Sequence, residues 1–371
     1  MSSPPGPPPG ATPGEQPSPG GQASTPAGLR QQAAPGAARA PRNIPAGDVS
    51  PQGAPDRRRR TAARPARAAA DDLLGISWRL EPRDYVIAHL LDEHRFLTTE
   101  QITAILFTSA RTCRNRLDVL RRIGFIDWFM PVHPARGRLP VHWIPGRLSA
   151  RYVALHHGRP APSARMWRQA RDTSPAQATS TGHLAHADGV NQFFVDLLAH
   201  SRAHPHTRLT RWWSAARTFA TINHNTRPDA HGVWRDGARQ AAFFLEHDTG
   251  TESHPVRAAK LAGYRTLGDK GLSWPVLFWL PSITVETHLH QHLERHTGGH
   301  GVTVATAARD YAATHGGPAG PVWRMPGDTH RLPLAALPGP TGPGGLAYHP
   351  GPPAAEEDPL YLLRGTPDQR A

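Results

Sequence analysis

The sequence predicts a mixed α/β protein, α+β in arrangement, flanked by tails that do not fold. Three observations carry this. Apolar residues recur at helical spacing in two separate windows, 85–123 and 190–198. Short strand-like apolar runs, divided by turn residues, follow each window. Proline and glycine, 40 and 35 of 371 residues, gather towards the two ends. A segment poor in large apolar side chains cannot offset its ordering entropy, so 1–79 and most of 297–371 read as disordered, with a helix candidate at Val302 to Ala313.

The first tail is basic and Pro/Ala-rich. Its run Arg57-Arg-Arg-Arg60 would hold phosphates without sequence preference, or would simply stay solvated. Over the whole chain 42 Lys and Arg face 29 Asp and Glu, a net charge of +13, and only Lys260 and Lys270 are lysines. That balance points to a polyanionic partner, double-stranded DNA first. The single cysteine, Cys113, excludes an internal disulfide and a cysteine-rich zinc site. The N-terminus lacks a basic-then-apolar leader pattern. The longest apolar run, Trp274 to Leu280, falls far short of the about 20 residues a membrane helix needs. The expectation is a cytoplasmic protein without a membrane partner.

Residues 80–150 form the first folded unit. Tyr85, Ile87, Ala88, Leu90 and Leu91 stripe one helix. Thr98 with Gln101 three residues on makes a capping box for a second, Thr99 to Leu106. Ser109 caps a third that reaches Ile123 and stops at Gly124. Cys113, Leu117 and Leu120 share its inner face, whereas Arg111, Arg114, Asn115, Asp118 and Arg122 lie on the other. Two strand-like pieces follow, Phe125 to Met130 and Val141 to Ile144, joined by a basic hairpin with Arg136 and Arg138. Three helices and a basic hairpin make the pattern of a winged helix-turn-helix. In that reading Arg111, Arg114, Asn115 and Arg122 face DNA from the third helix, and Arg136 and Arg138 touch backbone from the wing. The competing reading is a packing or dimerisation module with solvated arginines.

Residues 151–182 read as a linker with one short helix. From 183 to 296 the pattern becomes α/β. Val190, Phe193, Phe194, Leu197 and Leu198 define an amphipathic helix. Strand candidates follow at Arg208 to Phe219, Asp229 to Trp234 and Ala241 to Leu245. A helix starting at Ser253 and Pro255 ends near Gly268, and Pro275 to Leu280 is a buried strand.

The chemistry gathers around Arg227-Pro-Asp-Ala230 and Phe243-Phe-Leu-Glu-His-Asp-Thr-Gly250. Asp229 and Glu246 sit in or at the end of strands, and period two puts Asp248 on the face of Glu246. An acid ending an apolar run is costly unless a cation or a metal faces it. Paired carboxylates there suit magnesium; capping or pairing with an arginine is the alternative.

The order helix, three strands, helix, strand, with Pro228-Asp229, Glu246 and a lysine nearby, resembles the PD-(D/E)xK restriction-endonuclease-like fold. The resemblance implies a Mg-dependent DNA endonuclease, a nickase, with Asp229 and Glu246 as metal ligands and Lys260 as the catalytic cation. The chain departs from the pattern at Asp248, which stands where the lysine is expected. Lys260 would then substitute from the following helix, and Asp248 would be a further ligand or would hold Lys260. Asp188 or Asp196 on the preceding helix is the candidate for one more acid. Leu97-Thr-Thr-Glu-Gln-Ile102, Leu120-Arg-Arg-Ile-Gly-Phe-Ile126, His186-Ala-Asp-Gly-Val-Asn191, Arg227-Pro-Asp-Ala230 and Leu245-Glu-His-Asp-Thr-Gly-Thr-Glu252, in that order, resemble the actinobacterial replication-relaxation family over about residues 80–285. This implies work on plasmids or integrative elements, in replication or conjugative transfer, beside other replication or transfer proteins. The alternative is a non-catalytic DNA-binding regulator or initiator whose degenerate nuclease-like domain serves to form a homodimer.

Other features stand apart. His288, His292 and His296 have zinc spacing on a helix, or mark a solvated face. Trp212 and Trp213 are either base-stacking or core. Leu360-Tyr-Leu-Leu363 after Glu356-Glu-Asp358 is either a short partner motif or inert.

Overall fold

The computed structural model describes residues 73–133, 137–179, 183–222, 226–250, 254–269, 272–296 and 302–339, with Leu360 and Leu363. All of them fall within one compact unit, Thr61–Ala371. The Arg57–Arg60 run, Arg136 and Ser253 lie outside the described residues.

Order begins earlier than 80, with the short helix α1 (Leu73–Ser77). Helix α2 (Pro82–His94) starts on a proline and a reciprocal cap, the Glu81 N–H donating to Asp84 Oδ2 at 2.6 Å. Arg95, at φ 71°, turns the chain into the two-residue strand β1 (Leu97–Thr98). The capping box at Thr98 and Gln101 opens α3 (Thr99–Leu106): the Thr98 N–H reaches Gln101 Oε1 at 2.9 Å, and the Gln101 N–H reaches Thr98 Oγ1 at 3.2 Å. Ser109 caps α4 (Ala110–Arg122), which buries Cys113, Leu117 and Leu120. Gly124, at φ 77°, supplies the left-handed residue that ends this run. Strands β2 (Ile126–Phe129) and β5 (His142–Pro145) pair antiparallel, and β1 adds to the far side of β5. Between them β3 (Val132–His133) and β4 (Gly137–Arg138) form a small hairpin.

The expected linker is largely helical. Helix α5 (Arg147–His156) follows β5 directly and buries Leu148, Val153 and Ala154; α6 (Ala164–Thr179) follows. The turn-rich composition of 157–163 hides both, because it interrupts the helical period. Helix α7 (His183–Ala203) then buries Val190, Phe193, Phe194, Leu197 and Leu198, the stripe read from the sequence.

Seven strands make one mixed sheet: β6 (Thr207–Ser214), β7 (Ala230–Asp236), β8 (Arg239–His247), β9 (Val276–Leu280), β10 (Val304–Ala308), β11 (Pro321–Arg324) and β12 (Arg331–Pro333), neighbours in that order. Pairs β6–β7 and β7–β8 are antiparallel, β8–β9 and β9–β10 parallel, and the last two pairs antiparallel. The parallel joins need crossovers, and α9 (His254–Asp269) and α10 (Ile283–His296) supply them. The strand expected to run to Phe219 stops at Ser214, whose hydroxyl accepts the Arg217 N–H at 3.2 Å and caps α8 (Ala215–Ile222).

The sheet does not end at 296, where the sequence reading places the α/β boundary. Val302 to Ala313, expected as a helix, holds β10 and the single turn α11 (Arg309–Ala312). Val-Ala-Thr-Ala-Ala is buried on both faces, so it shows no alternation, and its alanines mimic a helix. Leu360 is buried in the main core, whereas Leu363 is exposed. Trp212 is core as well, stacked between His94 (3.6 Å) and Phe194 (5.1 Å), and Trp213 is equally buried. Among the described residues no helix is long and apolar enough to cross a membrane.

Asp84 is fully buried and pairs with Arg116 of α4, whose Nε lies 3.0 Å from Oδ1 and whose NH2 also donates to the Arg79 carbonyl at 2.7 Å. Truncating the cation strands a buried carboxylate. Arg116→Ala is expected to cost about 3 kcal/mol in urea denaturation, with Arg116→Ala/Asp84→Asn recovering part of that stability.

Candidate functional site

Strand β8 sets the site by alternation. Phe243 and Leu245 pack into the core with α7, whereas Phe244 packs against α9 and α10. Glu246 continues the Phe244 face. It is 4% exposed, and Lys260 Nζ of α9 lies 2.8 Å from its Oε2 while the Tyr264 hydroxyl donates to Oε1. Lys260 and Tyr264 are one helical turn apart, so a single face of α9 holds both carboxylate oxygens.

His247 continues the opposite face, towards α7. There Gly189 leaves room for it: a Cβ at that position would lie 2.2 Å from the His247 Nε2. Asp229, just before β7, joins the two sides. Its Oδ2 accepts the His247 backbone N–H at 2.8 Å, and its Oδ1 faces His186 Nε2 of α7 at 3.1 Å. Arg309, from the segment after β10, donates through one nitrogen to His247 Nε2 (2.9 Å) and to the Asp248 carbonyl (2.7 Å). A donor on Nε2 places the ring proton of a neutral His247 on Nδ1.

Burial and charge act together here. Burial, reinforced by Asp229, pushes the Glu246 carboxyl up to about 7, while Lys260 and Tyr264 pull it back. The hydrogen bond to Asp229 raises His186 above its ordinary value. Burial, with Arg309 beside it, holds His247 down at about 3. Tyr264 is raised well above the usual phenol range by burial and by Glu246.

Thus Asp229, Glu246 and Lys260 are brought together. Asp248 instead turns back on its own chain, Oδ1 accepting the Gly250 N–H at 2.6 Å. Asp188 and Asp196 do not complete the site: Asp188 faces His142 Nε2 at 2.9 Å, and Asp196 accepts from Gln192 at 2.7 Å. The residue of α7 that does reach in is His186. Sequence reasoning gives His186 no role beyond its place in a family motif and does not assign Tyr264 or Arg309 to the site, although Tyr264, four residues after Lys260, is the legible one. Among the described residues no group of three or more His, Cys, Asp or Glu side chains is arranged to hold a metal ion. His288 is exposed, and the side chain of His296 lies outside the described residues.

On the other module Arg111, Arg114, Asn115 and Arg122 are all exposed on α4, and Arg138 is exposed on β4. The one arginine of α4 drawn inward is Arg116.

The replication-relaxation family model matches residues 89–278, half of the chain. The chain belongs to the replication-relaxation family. No curated protein and no solved structure matches it. The match takes in α3, α4, His186, Asp229, Glu246, Lys260 and Tyr264, and it ends within β9, so Arg309 comes from beyond the family segment.

The raised Glu246 carboxyl has a consequence for stability in this family member. The unfolded chain ionises near 4.5 and the folded one near 7, so stability attributable to this group is full below 4.5 and is lost as pH rises to about 7. Buried histidines such as His247 act oppositely, but they are common to wild type and a Glu246→Gln variant. The stability difference between the two proteins should therefore shift in favour of the variant by roughly 3 kcal/mol from pH 4.5 to 8 in paired denaturation curves. A difference that stays constant across that range would refute the assignment.

Proposed function

We propose that this replication-relaxation protein binds duplex DNA through α4 and cuts one strand at a magnesium-dependent site built on Asp229, Glu246 and Lys260. Membership of the family speaks for a role in the replication or relaxation of DNA; the DNA contact and the nicking are the finer reading. The observation that carries it is the reach of Lys260 from α9 to Glu246, beside Asp229, in place of the lysine missing at position 248. The element order supports it. Helix α7, strands β6, β7 and β8, helix α9 and strand β9, with the four strands adjacent in sequence order, is what a restriction-endonuclease-like core requires. Likewise α2, β1, α3, α4, β2, a hairpin and β5 follow the order of a winged helix, with the exposed arginines on its third main helix. The DNA would be that of a plasmid or integrative element.

Magnesium commonly uses one or two carboxylates and completes its shell with water and substrate phosphate, so the donor set of Asp229 and Glu246 fits it. When bound there, it would activate water and stabilise the leaving oxygen of a phosphodiester. The residues do the rest. His186 and the His247 N–H orient Asp229. Tyr264 fixes Glu246 from beneath. Lys260, about a third of its side chain exposed, neutralises charge growing on the scissile phosphate. Glu246 must be ionised for this, which ties activity to pH near and above 7.

One observation favours a second reading. All four oxygens of Asp229 and Glu246 already accept from protein donors, as they would in a structural ion-pair network of a non-catalytic regulator.

Supercoiled cognate plasmid incubated with magnesium, manganese or EDTA separates the two. Metal-dependent nicking by wild type should fall at least about 100-fold in Asp229→Asn and Lys260→Ala while gel-shift affinity is kept. Equal, metal-independent behaviour of all three proteins would establish the regulator. In the same assay Arg111→Ala/Arg114→Ala should weaken duplex binding. It should also reduce the slope of log affinity against log salt by about 0.9 for each phosphate that the arginines no longer neutralise.

A further inference from the structure

A cavity of about 580 Å3 opens between the N-terminal helices and α6, and neither α4 nor the Asp229–Glu246 site contributes to it. Leu91 of α2, Ile144 of β5 and Ala154 of α5, all buried, form its apolar floor. Met166 and Trp167 of α6 form a side wall, and Met166 is 63% exposed there.

The space is held open by its own walls. The Trp167 indole N–H donates to the Pro145 carbonyl at 3.1 Å, which fixes the ring in the wall instead of letting it fold inward. Helix α5 turns only the methyl groups of Ala150 and Ala154 to the cavity. Pro160-Ala-Pro162, between α5 and α6, also lines it, and two fixed φ angles stiffen that strap. A preformed, mainly apolar hollow of this size, with few charged groups, is the usual form of a small-molecule site, for which about 300–1,000 Å3 is typical.

Its charges are unequal. Arg159 pairs with Asp92 at 3.2 Å, and Arg171 lies 3.5 Å from Asp127. Arg95 also lines the cavity, is exposed, and makes no ion pair among the described residues. Its place is fixed by the chain: it stands immediately after α2, at φ 71°, where the backbone reverses into β1.

We propose that this cavity binds a small aromatic organic anion. The ring body lies against Trp167, Leu91 and Ile144, and a carboxylate, sulfonate or phosphate group takes the guanidinium of Arg95. Guanidinium and oxyanion match in planar, charge-assisted hydrogen bonds. The apolar floor selects against inorganic phosphate and against a nucleic-acid backbone, which have no ring body to desolvate there. Ile144 and Pro145 belong to the central strand of the β1–β5–β2 sheet, so an occupant touches the framework that carries α4.

The test is titration calorimetry on the full chain with two dyes of one shape, anionic 8-anilinonaphthalene-1-sulfonate and neutral N-phenyl-1-naphthylamine. Wild type should bind the sulfonate saturably at one site. Arg95→Gln should weaken the sulfonate about tenfold, the worth of one charge-assisted hydrogen bond, and leave the neutral dye unchanged. Ala150→Phe, which places a ring inside the cavity, should abolish binding of both dyes with a cooperative melt retained. If that variant does not fold, Ala161→Trp on the exposed strap fills the same space. Absence of saturable binding in the full chain, as when a proline-rich tail of the chain fills the cavity, overturns the proposal. So does sulfonate binding that neither Arg95→Gln nor the filling variants alter.

Discussion

Helix α7 has to satisfy two neighbours at once, and the arrangement of the molecule follows from how it does so. One face is apolar and aromatic: Phe193 meets Phe243 and Trp279 edge to face, and Phe194 stacks on Trp212. That face is given to the sheet. The polar positions of the same helix hold the N-terminal module. Asp188 faces His142, the Asn191 amide donates to the Phe96 carbonyl at 3.0 Å, and one nitrogen of Arg202 donates to the Ala104 and Phe107 carbonyls at the end of α3. The first two contacts satisfy buried groups, the His142 ring and the Asn191 amide, that would otherwise be left unpaired. The helix bearing the exposed arginines and the strand bearing the carboxylates are thus referred to one rod.

The same helix reaches the site through His186 and yields space through Gly189. The alternation of β8 then separates two jobs. Glu246 is sunk among α9 side chains, where desolvation opposes its charge and Lys260 and Tyr264 support it. His247, one residue on, projects to the other side and is held neutral between burial and Arg309. Its backbone N–H, which belongs to neither face, grips Asp229. A single pleat therefore places one acid in a dry environment and holds another at a partly open edge.

Much of this is legible in the chain. The caps at Thr98 and Ser109, the stripe of α7 and the pairing of an acid with Lys260 all follow from local spacing, since one helical turn or one pleat decides them. The differences share another cause. Helices α5 and α6 read as a linker because a short turn-rich stretch separates them. Strand β10 reads as a helix because a strand buried on both faces carries no period. Asp188 looks like a site residue because helical spacing gives a face but not its neighbour, and the neighbour is His142. Arg309 has no place at all until β10 is known to lie beside β9, some distance along the chain from β8.

That last point bears on what the family segment can do by itself. The matched region stops within β9, a strand paired in parallel with β8 on one side. A parallel strand with its other edge open would expose a row of unpaired amides and carbonyls, and parallel sheets rarely tolerate that. Here β10 covers the edge in register from Val304 against Val276 to Ala308 against Leu280, and the next residue is Arg309. The strand that completes the sheet therefore delivers the guanidinium that orients His247. Covering an edge and orienting His247 are one act of the chain, so the segment beyond the matched region is as much a part of this side-chain cluster as the carboxylates are.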